Sequence, residues 1–524
     1  MGLGRARRQN LSPFVSSALT LRVSSARHPL AMGSRLRTTL ATFIALLLGG
    51  CGALSQDGPV EIAIIGEPSD LFQEGVQLSP ASQLLRSASR EGLVSLDASG
   101  QIVPALAERW IVTDDGLSYI FRVRERSWPD GDPLSASDVV AGLRELIRAH
   151  EGTSLGLDLA KITDTRAMTE KVIELRLSSP MPEFLRLLAQ PELGIAKSGS
   201  GAGPMVVSRD EDQPLARLSA LAPQERGLPR RQDWEDKSRS LAVQALPSKV
   251  AIEAFSQGQV DLVLNGSLSA FPEIELGPLS RGTIQVDPTL GLFGLAFRSD
   301  AGVLEDAARR EALSMALDRA ALIDPFGLGG WHPTNWIVPP SLLEAGAVPA
   351  TRWSGLSLEQ RREIARSRLE EWRVSSGEEE IVLRVGLPPG PGSDLLFQGI
   401  ANAWRGVGVR AVQVLPGAGA ELEWRDRVAR YSSPRWFLNQ FNCELESGLC
   451  SEAVDEIVRA SLEETDPVAK RGMLTDAHTI LVDEEVFIPL GAPVRWSLVR
   501  GSISNYAANQ WGLHPLFPLS GPTN

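Results

Sequence analysis

The sequence predicts an α/β protein with more than one domain, and three observations carry this prediction. The chain has 524 residues, more than a single hydrophobic core ordinarily serves, so two or three domains are expected. Hydrophobic residues make up 43% and charged residues 22% of the chain, which is the composition of a globular protein. Stretches with the period of a strand alternate with stretches of helical period along the chain, the pattern of mixed α and β structure.

The charge distribution argues against nucleic acid as a partner. The chain carries 52 basic and 64 acidic residues, for a formal net charge of −12. Residues 1–50 contain arginines but no acidic residue, so the rest of the chain is more acidic than the whole. A nucleic-acid binder needs a basic face to contact phosphates, and the body of this chain is a poor candidate for one.

The basic start has the features of a secretory signal. Arg35 and Arg37 precede an apolar run over residues 40–48. That run is too short to cross a bilayer as a helix, which needs roughly 20 residues, and it ends in small residues as a signal does. Residues 48–51, Leu-Gly-Gly-Cys, resemble a bacterial lipobox, which implies cleavage before Cys51 and diacylation of that residue.

The lipobox resemblance divides the N-terminal region. Residues 1–50 are expected to be a removed signal segment, and residues 51–58 a lipidated linker that holds the protein at the periplasmic face of the cell envelope. Met32 lies where such signals usually begin, so we expect the true start there and residues 1–31 to be an upstream extension. The alternative is a chance cysteine that follows an ordinary signal.

Two further cysteines, Cys443 and Cys450, complete the cysteine content of the chain. Exported compartments favour disulfides, so we expect a bridge between them. Two unlinked thiols are the alternative. A zinc site is disfavoured, because no second Cys or His pair lies nearby at ligand spacing.

Predicted strands and helices alternate from residue 60 onward. Period-2 alternation of apolar residues predicts strands, and apolar residues three and four apart predict helices. The predicted strands lie within residues 60–65, 92–97, 117–128, 171–178, 260–266, 291–300, 380–388, 407–415 and 486–505. The predicted helices lie within residues 81–91, 135–147, 181–189, 248–257, 305–324, 355–372, 395–405 and 466–485.

The stretch over residues 128–138, Trp-Pro-Asp-Gly-Asp-Pro-Leu-Ser-Ala-Ser-Asp, admits three interpretations: a metal loop, a catalytic acid cluster, or a turn into a helix. A calcium loop begun at Asp130 fails at its fifth, sixth and twelfth positions. Pro followed by Asp-Gly is turn chemistry. Ser135 suits a helix N-cap, with Asp138 three residues later. We therefore expect a turn and a capped helix, with no metal and no catalytic role.

Enzyme signatures are missing from the sequence. It contains no G-x-S-x-G elbow, no H-E-x-x-H motif and no S-x-x-K pattern. The five histidines are scattered, and none pairs with an obvious nucleophile. Paired carboxylates in space stay possible with so many acidic residues, so these observations lower the expectation of an enzyme without removing it. No catalytic residue and no cofactor are predicted.

A run of about fifty residues resembles a known family. It contains E-G-L-V at residues 91–94, P-x-L-A-x-x-W at 104–110, D-D-G at 114–116, and an aromatic-x-D-G-x-P-L-x-A-x-D-V element at 128–139. These elements resemble the family 5 extracellular solute-binding proteins of ABC importers, the oligopeptide and dipeptide binders and their relatives. Further pieces follow in the family's order, and the resemblance extends to about Trp511.

The resemblance implies a fold and a way of working. It implies a two-lobed periplasmic binding protein of type II, with a hinge and an extra inserted domain, that captures its solute by closure of the lobes. An ABC permease and ATPase would be its partners, and the receptor itself is expected to be a monomer. The implied domains are lobe one over 57–78, 196–291 and 496–524, the inserted domain over 79–195, and lobe two over 292–495.

Two groups of candidate ligand contacts follow from the resemblance and from residue type. The aromatic segment that peptide binders use in the cleft is not found, and its place in the order offers other side chains. Those candidates are Trp436, Asn439, Asn442 and Glu444. A second candidate wall lies in a Pro/Gly-rich loop, where aromatic rings flanking a histidine suit ligand stacking. That wall would consist of Trp331, His332 and Trp336, with ordinary loop packing as the alternative.

The sequence thus favours a lipid-anchored solute-binding receptor for a peptide-like small solute that feeds an ABC permease. Two alternatives remain at this point. The first is an envelope sensing or assembly protein on the same fold, and the second is a periplasmic hydrolase. Two carboxylates and a nucleophile within hydrogen-bond reach in one pocket would favour the hydrolase, whereas a deep cleft between lobes without them would favour binding.

Overall fold

The computed structural model describes residues 58–210, 213–274, 282–343 and 351–521. Two large sheets dominate the described part. The first has seven strands, and its order is Met205–Arg209, Leu215–Ala220, Leu241–Leu246, Val60–Ile65, Leu262–Ser267, Arg495–Val499 and Ile284–Asp287. Its central strand, Val60–Ile65, pairs in parallel with both neighbours, and the outer pairs are antiparallel.

The second large sheet has five strands. Its order is Val409–Val414, Ile381–Gly386, Leu422–Val428, Gly291–Phe297 and Phe487–Gly491. The first three strands run parallel to one another, and the last two run antiparallel to their neighbours. The strand Gly291–Phe297 is buried on both faces, whereas the strands Ile381–Gly386 and Leu422–Val428 alternate buried residues with more exposed ones.

Two short segments connect the large sheets. Residues 288–290 lead from strand Ile284–Asp287 into strand Gly291–Phe297, and residues 492–494 lead from strand Phe487–Gly491 into strand Arg495–Val499. The segments touch, because the Thr289 hydroxyl donates a hydrogen bond to the Pro493 carbonyl. A pair of adjacent crossings between two sheets is the geometry of a hinge.

Smaller sheets lie between residues 94 and 201. A four-stranded antiparallel sheet has the order Ala107–Val112, Ser118–Val123, Val172–Leu177 and Ile162–Thr169. Two-stranded ribbons are formed by Val94–Leu96 with Ile102–Pro104 and by Ala196–Lys197 with Ser200–Gly201. The hydrophobic core of this region continues into the helices that follow the strand Leu422–Val428, through Trp436 and Phe437.

Helices cover the sheets. Their bounds in the described residues are Pro80–Ser89, Ala136–Ala149, Ser154–Leu159, Phe184–Leu188, Ser248–Ser256, Ala307–Ala316, Arg319–Ile323, Leu358–Ser376, Pro391–Arg405, Pro434–Asn439, Glu452–Ala460, Pro467–Asp483 and Leu516–Leu519. Among the described residues, no helix combines the length and the apolar character that crossing a membrane requires.

The stretch over residues 128–138 forms the predicted turn and capped helix. Gly131 has φ +92°, which a glycine adopts without strain. The Ser135 hydroxyl oxygen accepts a hydrogen bond from the Asp138 backbone N–H, and the Asp138 carboxylate accepts one from the Ser135 backbone N–H, so the two residues form a capping box. Lys197 forms an ion pair with Asp132 at 2.7 Å. No cluster of metal-ligating side chains occurs among the residues that the structure describes.

Local sequence also sets two of the longer helices. Ser357 caps the helix Leu358–Ser376, and Gly377 ends it at φ +77°. This helix buries little beyond Ala365 and Leu369, so its many charges lie in solvent as predicted. Asp466 caps the helix Pro467–Asp483, whose first residue is the proline that this position favours.

Candidate functional site

A cavity of about 490 Å³ lies where the two large sheets and the region of the smaller sheets meet. Its volume is within the range of small-molecule sites. Several segments that are far apart in sequence contribute residues to the wall, though not every residue of each range takes part. They are 76–84, Leu96, 150–155, 190–192, 264–265, 426–430, Trp436, Gln440, Leu445, Ser447, Arg495 and 511–514. The wall therefore includes side chains from both sides of the two hinge segments.

The strand Leu422–Val428 carries two adjacent charged residues, Asp426 and Arg427, that both line the cavity. Asp426 forms an ion pair with Arg495 at 2.8 Å, whereas Arg427 donates a hydrogen bond to Gln440 Oε1 at 3.0 Å. Burial raises the pKa of Asp426, and the Arg495 guanidinium opposes this shift. The Asp426 carboxylate is thus paired with Arg495, whereas Arg427 bonds the neutral Gln440 side chain.

Arg427 and Arg430 form a cationic wall of the cavity, which we call the arginine wall. Arg427 is exposed to the cavity. Protein atoms enclose its other sides, and this burial, together with the nearby Arg430, lowers the pKa of Arg427. Arg430 contacts Asp158 at 3.4 Å and the Ser154 hydroxyl at 3.2 Å. Among the described residues, no carboxylate forms an ion pair with Arg427.

Asp158 is a fully buried carboxylate behind the arginine wall. It accepts hydrogen bonds from the Tyr431 hydroxyl at 2.8 Å and from Asn439 Nδ2 at 2.9 Å. Burial raises the pKa of Asp158, while Arg430 and Arg435 act against this shift. The cluster connects the helix Ser154–Leu159 to the segment that follows the arginine wall. The two oxygens of the Asp158 carboxylate therefore have hydrogen-bond or ion-pair partners, as a buried carboxylate requires.

A second carboxylate faces the cavity from another side. Glu192 is buried, and its Oε1 accepts a hydrogen bond from Gln83 Nε2 at 3.2 Å. Its Oε2 has no hydrogen-bond partner within the described part of the chain. Burial lowers the pKa of the neighbouring His150. The charge of Glu192 acts to raise this pKa, and the charge of Arg430 acts to lower it. His150 therefore lies within electrostatic reach of both the acidic and the basic side of the cavity.

Two tryptophans give the cavity an apolar surface. Trp436 is buried beside Phe437, with ring centroids 4.9 Å apart, and it lines the cavity. Trp511 lines it from another side, and the Arg186 guanidinium lies 4.0 Å from its ring centroid. Aromatic walls with a few convergent polar groups are typical of small-solute sites.

The predicted residues of the 436–444 segment divide in the structure. Trp436 lines the cavity, as noted, while Asn439 is buried and donates to Asp158. Asn442 caps a short turn by accepting the Glu444 backbone N–H at 3.0 Å, and the Glu444 side chain is exposed. Neither Asn439, Asn442 nor Glu444 belongs to the wall of this cavity. The Asn439 side chain instead donates a hydrogen bond to the buried Asp158 carboxylate.

Cys443 and Cys450 are joined by a disulfide, with a Cα–Cα distance of 5.2 Å. The bridge closes the loop that carries Leu445 and Ser447, which line the cavity. Cys51, the predicted lipid attachment site, lies outside the described residues.

The second predicted wall, Trp331 with His332 and Trp336, does not line this cavity. Trp331 packs edge-on against Phe293, with ring centroids 5.5 Å apart, and its Nε1 donates to the Ala492 carbonyl at 2.9 Å. Trp336 lies beside His478, with ring centroids 6.1 Å apart. Of the three, His332 alone is exposed, and the two tryptophans are half-buried. The physical reason is that an apolar ring gains more from packing under a loop than from facing water.

Sequence reasoning missed the arginine wall, Glu192 and His150. One signal was available for the wall: three arginines lie within residues 425–430 of a chain whose body is acidic. No local signal marks Glu192, because its contact with Gln83 crosses 109 positions of sequence. His150 ends a helix, and its place in the cavity follows from the tertiary fold alone.

Comparison with known proteins decides the family. Residues 101–414, more than half of the chain, match the middle part of the bacterial extracellular solute-binding proteins, family 5. The chain belongs to this family. The periplasmic oligopeptide-binding protein OppA of Escherichia coli is 23% identical over 523 residues, which span 89% of this chain and 94% of OppA. The family predicted from the sequence is thereby confirmed.

Solved structures confirm the predicted two-lobed type II fold. OppA of Haemophilus influenzae, in complex with the peptide RPPGFSPFR, superposes with a TM-score of 0.73 at 18% identity, covering 89% of this chain and all of that one. The binding protein AgaA of A. tumefaciens R10, in complex with agropinic acid, gives a TM-score of 0.65 at 16% identity, with 85% and 94% covered. This family 5 solute-binding protein thus has a fold that the named relatives use around different solutes.

Proposed function

We propose that this family 5 protein is a lipid-anchored receptor that captures a small, peptide-like solute and delivers it to an ABC permease. The observation that carries the proposal is the cavity of about 490 Å³, whose wall combines residues on both sides of the two hinge segments. A solute that contacts both sides stabilises the closed arrangement, because it binds that state more tightly than the open one. OppA of E. coli, a peptide binder by name, supports the peptide-like class.

The solute is best identified by native mass spectrometry of the mature protein purified from its host. We expect a bound species of low mass that is lost on mild unfolding and that raises the melting temperature when added back. Defined pools of di- to pentapeptides then test the peptide-like class in a thermal-shift assay. If the protein carries no bound species and no peptide pool shifts its melting temperature, the peptide-like proposal is contradicted.

Delivery to a permease needs a separate test in the host. Deletion of the gene should abolish uptake of the labelled solute, and the wild-type gene should restore it. Binding in vitro without any change in uptake would contradict delivery and would leave a binding protein with a sensing role.

The proposed anchor is the diacylated Cys51, supported by the lipobox-like residues 48–51. Cys51→Ser should leave the protein in the soluble fraction, whereas the wild type sediments with membranes. Mass spectrometry of the mature N-terminus should find the diacyl group on Cys51. An unmodified N-terminus in the wild type would contradict the anchor.

A further inference from the structure

The path of the chain divides the molecule into parts that move apart at the hinge. The chain enters residues 291–491 through one hinge segment and leaves them through the other. Residues 91–201, which carry the smaller sheets and which we call the small-sheet region, lie outside this range. They follow the helix Pro80–Ser89, which packs into the core of the seven-stranded sheet, and they precede the strand Met205–Arg209 of that sheet. A rotation about the hinge therefore keeps the small-sheet region with the seven-stranded sheet and separates it from residues 291–491.

A buried carboxylate makes its contacts across this boundary. Asp158 belongs to the small-sheet region and is fully buried. It accepts hydrogen bonds from the Tyr431 hydroxyl at 2.8 Å and from Asn439 Nδ2 at 2.9 Å. Arg430 lies 3.4 Å from its Oδ2. In the described part of the chain, every side chain that bonds the Asp158 carboxylate thus belongs to residues 291–491.

A second polar contact crosses the boundary at the Leu462 carbonyl. This oxygen accepts hydrogen bonds from the Ser178 hydroxyl at 2.8 Å, the Ser179 hydroxyl at 2.6 Å and Lys161 Nζ at 3.2 Å. The three donors belong to the small-sheet region, and Ser179 and Lys161 are buried. Lys470, on the other side, donates to Ser179 Oγ at 2.9 Å. Both contacts therefore join the same two parts of the molecule.

Apolar packing encloses the first contact. The helix Ser154–Leu159 packs against the helix Pro434–Asn439, and Leu155 and Leu159 share a hydrophobic core with Trp436. Because water is displaced here, a charge that loses a partner while the parts stay together is unfavourable. Once the parts separate, water replaces the lost partners, so the contact is reversible.

From these contacts we infer that the small-sheet region holds residues 291–491 in the closed arrangement, through a clasp that breaks when the lobes open. The clasp consists of the contacts of Asp158 and those of the Leu462 carbonyl. The inference goes beyond the proposed receptor function, because the clasp acts whether or not a solute is bound. Arg430 also lines the cavity, so the clasp lies directly beside the proposed solute site.

Tyr431→Phe removes one donor of the clasp and keeps the buried ring. In the closed arrangement this change leaves Asp158 with one hydrogen bond fewer, whereas in the open arrangement water supplies the missing donor. We expect the ratio of open to closed protein to rise at least about fivefold. Tyr119→Phe is the matched control, because the buried Tyr119 hydroxyl donates to the Met181 carbonyl at 2.9 Å within the small-sheet region. It should leave the ratio unchanged.

Spin labels at exposed positions report the motion. Glu151 and Glu456 lie on opposite sides of the boundary, whereas Glu151 and Lys249 lie on the same side. The labels are attached through non-native ketone side chains to the mature chain, which is refolded to remove any solute from its host. Double electron–electron resonance then gives the distances for each pair. We expect a shorter and a longer distance for the first pair, with the longer one enriched in Tyr431→Phe, and one constant distance for the second pair.

Ser178→Ala repeats the test at the Leu462 contact with a substitution small enough to preserve folding, and should raise the ratio about threefold. An unchanged ratio in both variants would overturn the inference. An equal rise in Tyr119→Phe, or a second distance between the labels at Glu151 and Lys249, would overturn it too. So would a wild type that shows only the longer distance. Each of these outcomes leaves the receptor proposal intact, because no solute takes part in the measurement.

Discussion

Asp426 and Arg495 join the two large sheets through an ion pair with 2.8 Å between Oδ1 and Nη1. The pair lies beside the hinge, because Arg495 directly follows the connecting segment 492–494. The exposed fractions of the two side chains are only 16% for Arg495 and 13% for Asp426. An ion pair this enclosed ties the relative position of the sheets to the charge state of its members.

Asp426→Ala should therefore destabilise the protein strongly. The substitution leaves the Arg495 guanidinium enclosed without its carboxylate, a loss of about 3 kcal/mol in the free energy of unfolding. Glu380→Ala breaks the exposed pair with Arg410, where both side chains are about half exposed, and should lower it by less than about 1 kcal/mol. Urea unfolding followed by circular dichroism measures both. Similar losses for the two variants would contradict the structural role of Asp426.

The sequence predicts much of the fold because its signals are local. Ser135 and Asp138 make their capping box within one turn, and Asp466 with Pro467 starts its helix in the same way. Such features need only a few neighbouring residues to act. The family resemblance adds the order of the elements, which no local signal contains.

The site is harder to predict because its contacts join distant segments. Asn439 was a candidate ligand contact because it lies where the family's cleft segment falls in the sequence, yet its side chain bonds the buried Asp158 across 281 positions. Trp331 was a candidate because two tryptophans flank a histidine in a Pro/Gly-rich loop, and it packs against Phe293. The arginine wall follows from which charges remain unpaired, and pairing is visible only in three dimensions.

Asn439→Ala tests the role that the structure gives this side chain. Removing the Nδ2 donor deprives the buried Asp158 of one of its hydrogen bonds, which should lower the free energy of unfolding by about 2 kcal/mol. Asn402→Ala is the control, because Asn402 is exposed and contacts Arg405, and should change it by less than about 0.5 kcal/mol. Thermal unfolding measures both. An unchanged stability with reduced solute affinity would restore Asn439 as a ligand contact.

Removing the disulfide should destabilise the protein moderately. The bridge between Cys443 and Cys450 spans a sequence separation of 7, and closing so short a loop restricts the unfolded chain by about 2.5 kcal/mol in the chain-entropy account. The double variant Cys443→Ser with Cys450→Ser should lose this amount in urea unfolding. Reducing agent should lower the stability of the wild type equally and leave the double variant unchanged. A reductant effect on the double variant would show that the loss has another origin.

His478 should make the folded protein sensitive to acid. Its side chain is fully buried, and neither ring nitrogen has a hydrogen-bond partner in the described part of the chain. Burial lowers the pKa of His478 from 6.5 to about 4. Between these values the unfolded chain binds a proton that the folded protein does not, so stability rises with pH and is lost as the pH falls from 6.5 towards 4. The full effect of such a shift is about 3 kcal/mol.

His478→Leu should remove this part of the pH dependence. We expect the free energy of unfolding of the wild type and of the variant to diverge as the pH is lowered from 6.5 to 4, with the variant losing less. Leu474→Ala, a buried change on the same helix, should lower stability by a similar amount at every pH, because it alters no titrating group. Urea unfolding at half-unit pH steps gives the three curves. Parallel curves for the wild type and His478→Leu would show that His478 takes up its proton equally in the folded and unfolded protein.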